Sequence, residues 1–314
     1  MDIIKFSLAN LPTPLHKLNN LSKQLNANIW IKRDDLTGLA FGGNKTRKLE
    51  YLIADAQKNN AKNIITAGMS QSNHCRQTAA AARLSGLNCH LVLGLPKRDN
   101  GNLLLDNLLQ AKIHWCEKHQ REEYMQQLAQ KLPDSYVIPY GGSNNIGAYG
   151  YATAIEELQQ TTNIHFDNII LATSSGGTQA GLVYGAKLHN IKTNILGISV
   201  DCNPQQQFEN AICEIARNIN SLTNKNLSFS PQEFNVNYDY LGEGYAILSQ
   251  AEKNAITQLA QTEAIFLDPV YTAKAFAGFL SLIKQNKLSG NLLFWHTGGT
   301  PALFAYEQEM NNIE

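Results

Sequence analysis

The stretch FGGNKTRKLEYL, residues 41–52, sets Lys45 directly after a glycine pair and an asparagine. Leu49, Leu52, Ile53 and Ala56 follow at helical spacing, which predicts a helix starting near Asn44, a good N-cap residue. The positive end of a helix disfavours an ammonium there, and partial burial lowers the lysine pKa further. A neutral amine is what Schiff-base chemistry requires, and the glycines let backbone approach a flat ligand closely. Taken alone, the stretch favours the plainer reading, a solvated lysine whose neighbouring glycines serve only the turn.

Four further turns carry groups that could act with it. GMSQSNHCRQTAAAARL brings Ser70, Gln71, Ser72, Asn73 and His74 between a strand and a helix. Hydroxyls, amides and free N–H groups converge there, as a carboxylate or an aromatic oxygen would need. The plainer reading is a cap cluster, with Cys75 a small packing residue. SSGGTQAG, residues 174–181, puts two glycines between hydroxyl residues ahead of a helix, a nest of N–H groups for a phosphate. It has neither GxGxxG nor a Walker lysine, which argues against a dinucleotide or ATP. In LDPVYTAK, residues 267–274, Tyr271 follows a proline at a helix start; in WHTGGTPALFAY, residues 295–306, Thr297 ends a strand.

These turns need a scaffold. Short apolar runs followed by a glycine- or serine-bearing turn and then a helical pattern start at Asn63, Ser135 and Asn168 and return twice near the end, in IFLDPVYTAKAF and NLLFWHTGGTPALF. NCHLVLGLP and TNILGISVD read as further buried strands. Strands apolar on both faces, alternating with helices, imply parallel sheets covered by helices. Ligands of such sheets sit beyond the carboxyl ends of the strands, where the polar turns fall. Residues 221–240 are polar and irregular and read as a long connection within a domain.

The 314 residues suit two α/β domains. Lys plus Arg and Asp plus Glu both number 26, and no basic stripe occurs, which argues against nucleic acid or a membrane as partner. The odd count of cysteines, Cys75, Cys89, Cys116, Cys202 and Cys213, without CxxC spacing, fits neither a disulfide framework nor a zinc site and points to a reducing compartment. The eight histidines show no HExxH, so no metal is expected. No signal peptide and no run long enough to span a bilayer is seen, and the expected localisation is cytoplasmic.

Together, GGNKTRKLEYL, QSNHCRQTAA, SSGGTQAG, LDPVYTAKA and GGTPALFAY, in this order, resemble the 1-aminocyclopropane-1-carboxylate deaminase and D-cysteine desulfhydrase family. The resemblance runs from LPTPLHKL to the last of these stretches, almost the whole chain. It implies a fold-type II pyridoxal phosphate enzyme, tryptophan synthase β-like, with two open twisted α/β domains and mostly parallel sheets. It implies a large domain of residues 1–48 and 151–314 that binds pyridoxal 5'-phosphate, and a small domain, 49–150, inserted in it. By resemblance, Lys45 bonds the cofactor aldehyde and later shuttles the substrate's α-proton, and Lys48 meets the phosphate. Asn73 meets the phenolic oxygen. Ser72, with Gln71 and Asn73, holds the substrate. Ser175, Gly176, Gly177 and Thr178 form the phosphate loop. Tyr271 stands over the substrate, with Tyr245 of LGEGYAI as its partner.

Ring-opening deaminases of the family resemble one another in a glutamate after the DPVY tyrosine and a leucine in HLGG, whereas desulfhydrases have threonine at both places. This chain has Thr272 and Thr297 there, both placed near the pyridine ring by the resemblance. A carboxylate at the ring nitrogen makes the ring a stronger electron sink than a hydroxyl does, and expelling a good leaving group requires less of a sink than breaking a carbon–carbon bond. The expected activity is therefore D-cysteine desulfhydration, a lyase reaction giving pyruvate, sulfide and ammonia. The alternatives are the cyclopropane-acid deaminase, classed as a hydrolase, which gives 2-oxobutanoate, and a non-catalytic ligand-binding protein on the same fold. A homodimer is expected from the family.

Overall fold

The structure, a computed structural model, describes residues 3–201 and 204–311; Cys202 lies outside the described residues. The chain enters through β1 (Leu15–Lys17), α1 (Asn19–Leu25) and β2 (Asn28–Arg33), and then α2 (Asn44–Lys58) leads into a separate sheet. That sheet comprises β3 (Asn63–Met69), β4 (Asn88–Gly94), β5 (Lys112–Cys116) and β6 (Ser135–Val137), with α3 (Asn73–Leu84), α4 (Gly101–Leu108) and α5 (Arg121–Lys131) between its strands. Its order is β5-β4-β3-β6 and every pairing is parallel.

Helix α6 (Asn145–Thr161) returns to the first sheet, followed by β7 (Asn168–Thr173), α7 (Gly177–Leu188), β8 (Asn194–Ser199), α8 (Gln205–Thr223) and β9 (Asn235–Asn237). Helices α9 (Gln250–Glu263) and α10 (Thr272–Lys284), strand β10 (Asn291–His296) and α11 (Glu307–Asn311) complete the chain. The order is β1-β2-β10-β7-β8-β9, antiparallel only at β1.

Strand alternation explains the layers. Leu293 and Trp295 of β10 join Tyr151, Tyr184 and Ile212 on the face covered by α6, α7 and α8. Leu292 and Phe294 point the other way, to Leu21, Ile256, Phe276 and Phe279 of α1, α9 and α10. The smaller sheet divides likewise: Ile64, Leu91 and Leu93 face α2, α3 and α4, while Ile65, Ala67 and Val92 meet Met125 of α5. Both faces are covered, so these strands lack an apolar–polar alternation.

Several expectations change. Residues 48 and 150, the boundaries expected for the domains, fall inside α2 and α6, and the strands of the smaller sheet come between β2 and β7 in the chain. The IFLD run, residues 265–268, is not a strand, although Ile265 and Leu267 are buried. Its backbone finds side chains instead: Phe266 O contacts His296 Nε2 at 2.9 Å, and Asp268 N donates to Thr272 Oγ1 at 2.7 Å. After β10 the TPALFAY segment forms 3-10 turns rather than a long α-helix, with Pro301 in its first turn. The polar connection of residues 221–240 contributes β9, a short edge strand paired with β8. The described cysteines are all free, and Cys75 is fully buried.

Candidate active site

The singled-out turns open toward one cleft, at the carboxyl ends of strands from both sheets, although Lys48, Gln71, Gly177 and Thr272 do not themselves line it. The cleft holds a cavity of about 360 Å³ lined by Lys45, Ser72, Asn73, Tyr245, Tyr271 and Thr297, among others.

Lys45 is the second residue of α2. The expected N-cap is displaced by one residue: Gly43 takes that place, with φ of 127°, and Asn44 begins the helix. The reason is close packing. A Cβ on Gly43 would sit 2.7 Å from Gln77 Nε2, and a Cβ on Gly298 would sit 2.5 Å from Gly43 Cα. Asn44 N donates to Thr297 O at 2.9 Å, and Asn44 Nδ2 reaches Thr178 Oγ1 at 3.0 Å. The loop after β10 and the start of α7 are thus tied to the start of α2.

Burial lowers the Lys45 pKa to about 8, against a smaller opposing pull from the Asp268 carboxylate. One turn on, Lys48 is lowered well below its ordinary value by burial and then by the charge of Lys45. Its Nζ donates to Gly141 O at 3.1 Å and Ser143 Oγ at 3.2 Å. Between these lysines, Arg47 faces the opposite way and locks the helix. Its guanidinium grips Asp34 at 2.9 Å through both Nε and Nη2, and Glu157 at 2.8 Å. Tyr151 and Trp295 donate to the same Asp34 carboxylate, at 2.6 and 2.8 Å. Burial raises the Asp34 pKa, but the charge of Arg47 and these hydrogen bonds outweigh it, and the carboxyl falls to about 2.

The nest at the start of α7 forms around Gly176, whose φ is 79° and whose Cβ would lie 2.6 Å from Ile212 Cγ1. Ser143, not singled out in the sequence, completes it: its Oγ lies 2.8 Å from Ser175 Oγ and accepts from Gly177 N at 3.2 Å. A Cβ on Gly141, in the same turn, would sit 3.5 Å from Lys45 Nζ. The repeated strand–turn–helix pattern at Ser135 was the available signal for this turn.

Ser72 caps α3, accepting from Cys75 N at 3.2 Å, and lines the cavity. Asn73 Oδ1 accepts from Arg76 and Asn102 at 3.0 and 2.8 Å, which leaves its amide nitrogen as the donor for a ligand. Two expected contacts are corrected. Gln71 does not line the cavity, because its amide holds Arg98 O, Asn100 O and Asn102 N at 3.1, 2.8 and 2.9 Å. Thr272 also faces away: its hydroxyl donates to Asp268 Oδ1 at 2.8 Å. Asp268, itself missed, accepts from the N–H groups of Val270, Tyr271 and Thr272 and fixes the turn that presents Tyr271. The Asp-Pro pair at a helix start was its signal.

This donor set fits pyridoxal phosphate. A recessed amine sits beside a glycine-bearing nest of N–H and hydroxyl donors, with a second lysine behind it and an amide donor and a threonine at the other side. The comparisons agree. The pyridoxal-phosphate dependent enzyme family matches residues 6–298. The chain belongs to this family.

A D-cysteine desulfhydrase of Yersinia enterocolitica is 39% identical over 98% of this chain and 97% of its own length. A Thermotoga maritima protein, named provisionally as a 1-aminocyclopropane-1-carboxylate deaminase, is also 39% identical, over 98% of this chain and all of its own. The crystal structure of an ACC deaminase homologue superposes with a TM-score of 0.94 at 34% identity, covering 99% of this chain and 97% of that one. The fold is accordingly that of fold-type II pyridoxal phosphate enzymes, and pyridoxal phosphate is the cofactor of this enzyme.

Proposed function

We propose that this enzyme eliminates the β-substituent of a small amino acid, D-cysteine first, releasing pyruvate, sulfide and ammonia. The observation that carries this reading is the buried Lys45 amine, with a pKa near 8, sharing a cavity with Ser72 and the Tyr245–Tyr271 pair. When bound, pyridoxal phosphate supplies an electron sink conjugated to the substrate's α-carbon. Lys45 Nζ takes the α-proton, a role suited to an amine whose pKa lies near the working pH. Ser72 Oγ and the amide of Asn73 orient the substrate carboxylate. Burial keeps both tyrosines protonated, so they hold a proton at the substrate rather than remove one. Lys48, Ser143, Ser175, Gly176, Gly177 and Thr178 would anchor the phosphate.

The threonine at 297, lining the cavity where ring-opening relatives carry leucine, supports elimination over ring opening. The Asp268 carboxylate is engaged by three N–H groups and Thr272 and does not line the cavity. The desulfhydrase name of the Yersinia relative adds support. Its chemistry is that of a lyase, and the hydrolase class is not retained. The names of the Thermotoga relative and of the ACC deaminase homologue favour cyclopropane-acid deamination as a second reading. Purified, cofactor-loaded protein should form pyruvate and sulfide from D-cysteine; 2-oxobutanoate from the cyclopropane acid, with no pyruvate from D-cysteine, would replace the first reading by the second.

We also propose a cytoplasmic homodimer in which residues 49–150 act as the small domain. No helix among the described residues is long and apolar enough to cross a membrane. Exposed Leu104, Leu108 and Phe304 offer apolar surface for a partner. Sedimentation of the purified protein would test the dimer.

A further inference from the structure

Two further cations line the cavity. Lys118 opens the 3-10 turn after β5, Arg121 is the first residue of α5, and both line the same cavity as Lys45. Lys118 Nζ sits 5.8 Å from the centre of the Tyr245 ring, across the cleft. The Arg121 guanidinium lies 5.2 Å from the centre of the Tyr140 ring, beside Gly94, where a Cβ would come within 3.3 Å of its Cδ. Arg121 Nε donates to the backbone carbonyl of Lys118 at 2.9 Å, which ties the Arg121 side chain to the turn that carries Lys118. Among the described residues, neither forms an ion pair. Lys32, Arg33, Arg47 and Lys274 each meet a carboxylate, whereas the buried Arg76 and Lys48 are held by neutral acceptors. Lys118 is exposed and Arg121 half-buried; the acidic neighbours Glu117 and Glu122 are exposed and do not line the cavity, whereas Asp201, near Tyr245 and Tyr271, does. Two cations outside any ion pair, with Asp201 the one carboxylate residue among the described residues lining this cavity, leave it an excess of positive charge that suits an arriving anion.

We propose that Lys118 and Arg121 receive the substrate's β-substituent as it departs as an anion, which makes the enzyme selective for amino acids with a basic leaving group such as hydrogensulfide. The inference rests on the β-elimination reading. In that step Lys45 takes the α-proton, and the electron pair left at Cα forms the Cα–Cβ double bond. The Cβ–S bond breaks with its pair going to sulfur, and HS⁻ leaves beside the two cations. Water then converts the released aminoacrylate to pyruvate and ammonia.

The test compares Arg121→Met and Lys118→Met with the unaltered, cofactor-loaded enzyme on D-cysteine and β-chloro-D-alanine. Chloride departs with little electrostatic help, whereas the more basic hydrogensulfide depends on it. We expect kcat/KM for D-cysteine to fall about tenfold or more, and that for β-chloro-D-alanine by less than about threefold, with Arg121→Lys recovering most of the loss. Equal losses on both substrates, or no loss on either, would overturn the inference. A second readout needs no turnover: cofactor absorbance is followed on titration with aspartate and with alanine. Loss of either cation should weaken aspartate, which carries an anionic β-substituent, about tenfold relative to alanine; an unchanged ratio overturns the inference. If the unaltered enzyme forms pyruvate from neither substrate, the elimination reading fails by itself, and the aspartate-to-alanine ratio decides the charge inference alone.

Discussion

The hydroxyl oxygens of Tyr245 and Tyr271 lie 2.5 Å apart, joining the loop before α9 to the turn at the start of α10. Their rings meet edge to face with centroids 6.0 Å apart. Burial, the larger cause in each case, raises both pKa values, so the pair remains protonated through the working range. Tyr271→Phe should lower kcat by roughly 10²–10⁴, as expected for a lost proton donor, while KM changes little. Steady-state kinetics on D-cysteine would check this; a changed KM with intact kcat would make Tyr271 a binding residue only.

Lys45 gives a second prediction, for the cofactor-free protein. Its folded pKa of about 8 lies below the ordinary 10.5. Below pH 8 the folded state must therefore carry a buried charge, at a cost of up to roughly 3 kcal/mol. Between pH 8 and 10.5 the unfolded chain binds more protons than the folded one, so stability rises with pH. Lys45→Met should be more stable than the unaltered protein at pH 7 and should lack that rise. Urea unfolding across pH 7 to 10 measures the difference. The same variant should bind no cofactor covalently, which borohydride reduction followed by mass measurement would show.

Behind the active lysine, the Arg47–Asp34–Glu157 cluster decides stability. Arg47 is 2% exposed and Asp34 fully buried, so removing one partner leaves an uncompensated buried charge. Arg47→Met should cost about 3–5 kcal/mol, measured by denaturant titration. Asp34, held near 2 against 3.8 ordinarily, contributes stability that is present above pH 4 and lost as pH falls toward 2. Asp34→Asn should flatten that acid limb.

Ser143 yields a prediction that separates cofactor affinity from fold. Its hydroxyl links Lys48, Ser175 and Gly177 N. Ser143→Ala should leave the unfolding midpoint of the cofactor-free protein within a few degrees and weaken pyridoxal phosphate binding about tenfold. Equilibrium dialysis measures the affinity, and an unchanged value would remove Ser143 from the phosphate cradle.

Much of the architecture was legible along the chain because it depends on local pattern. Runs such as Asn63–Met69 and Asn168–Thr173 are apolar on both faces, so only a helix-covered parallel sheet can bury them. The turns after them had to carry the site, because strand ends are where backbone donors stay free. Residue type and neighbours also singled out Lys45: a glycine pair ahead and a helix behind imply an amine at a positive dipole.

What needed the tertiary structure were the properties that depend on residues far apart in sequence. The Lys45 pKa is set by burial against turns from both sheets, which no local stretch encodes. Gln71 and Thr272 carry suitable groups, but distant backbone and Asp268 use those groups up. Ser143 and Arg47 gained their roles from partners more than 30 residues away, Ser175 for one and Glu157 for the other. Composition states which donors a chain has; only folding decides which of them are already satisfied, and a binding site consists of those that are not.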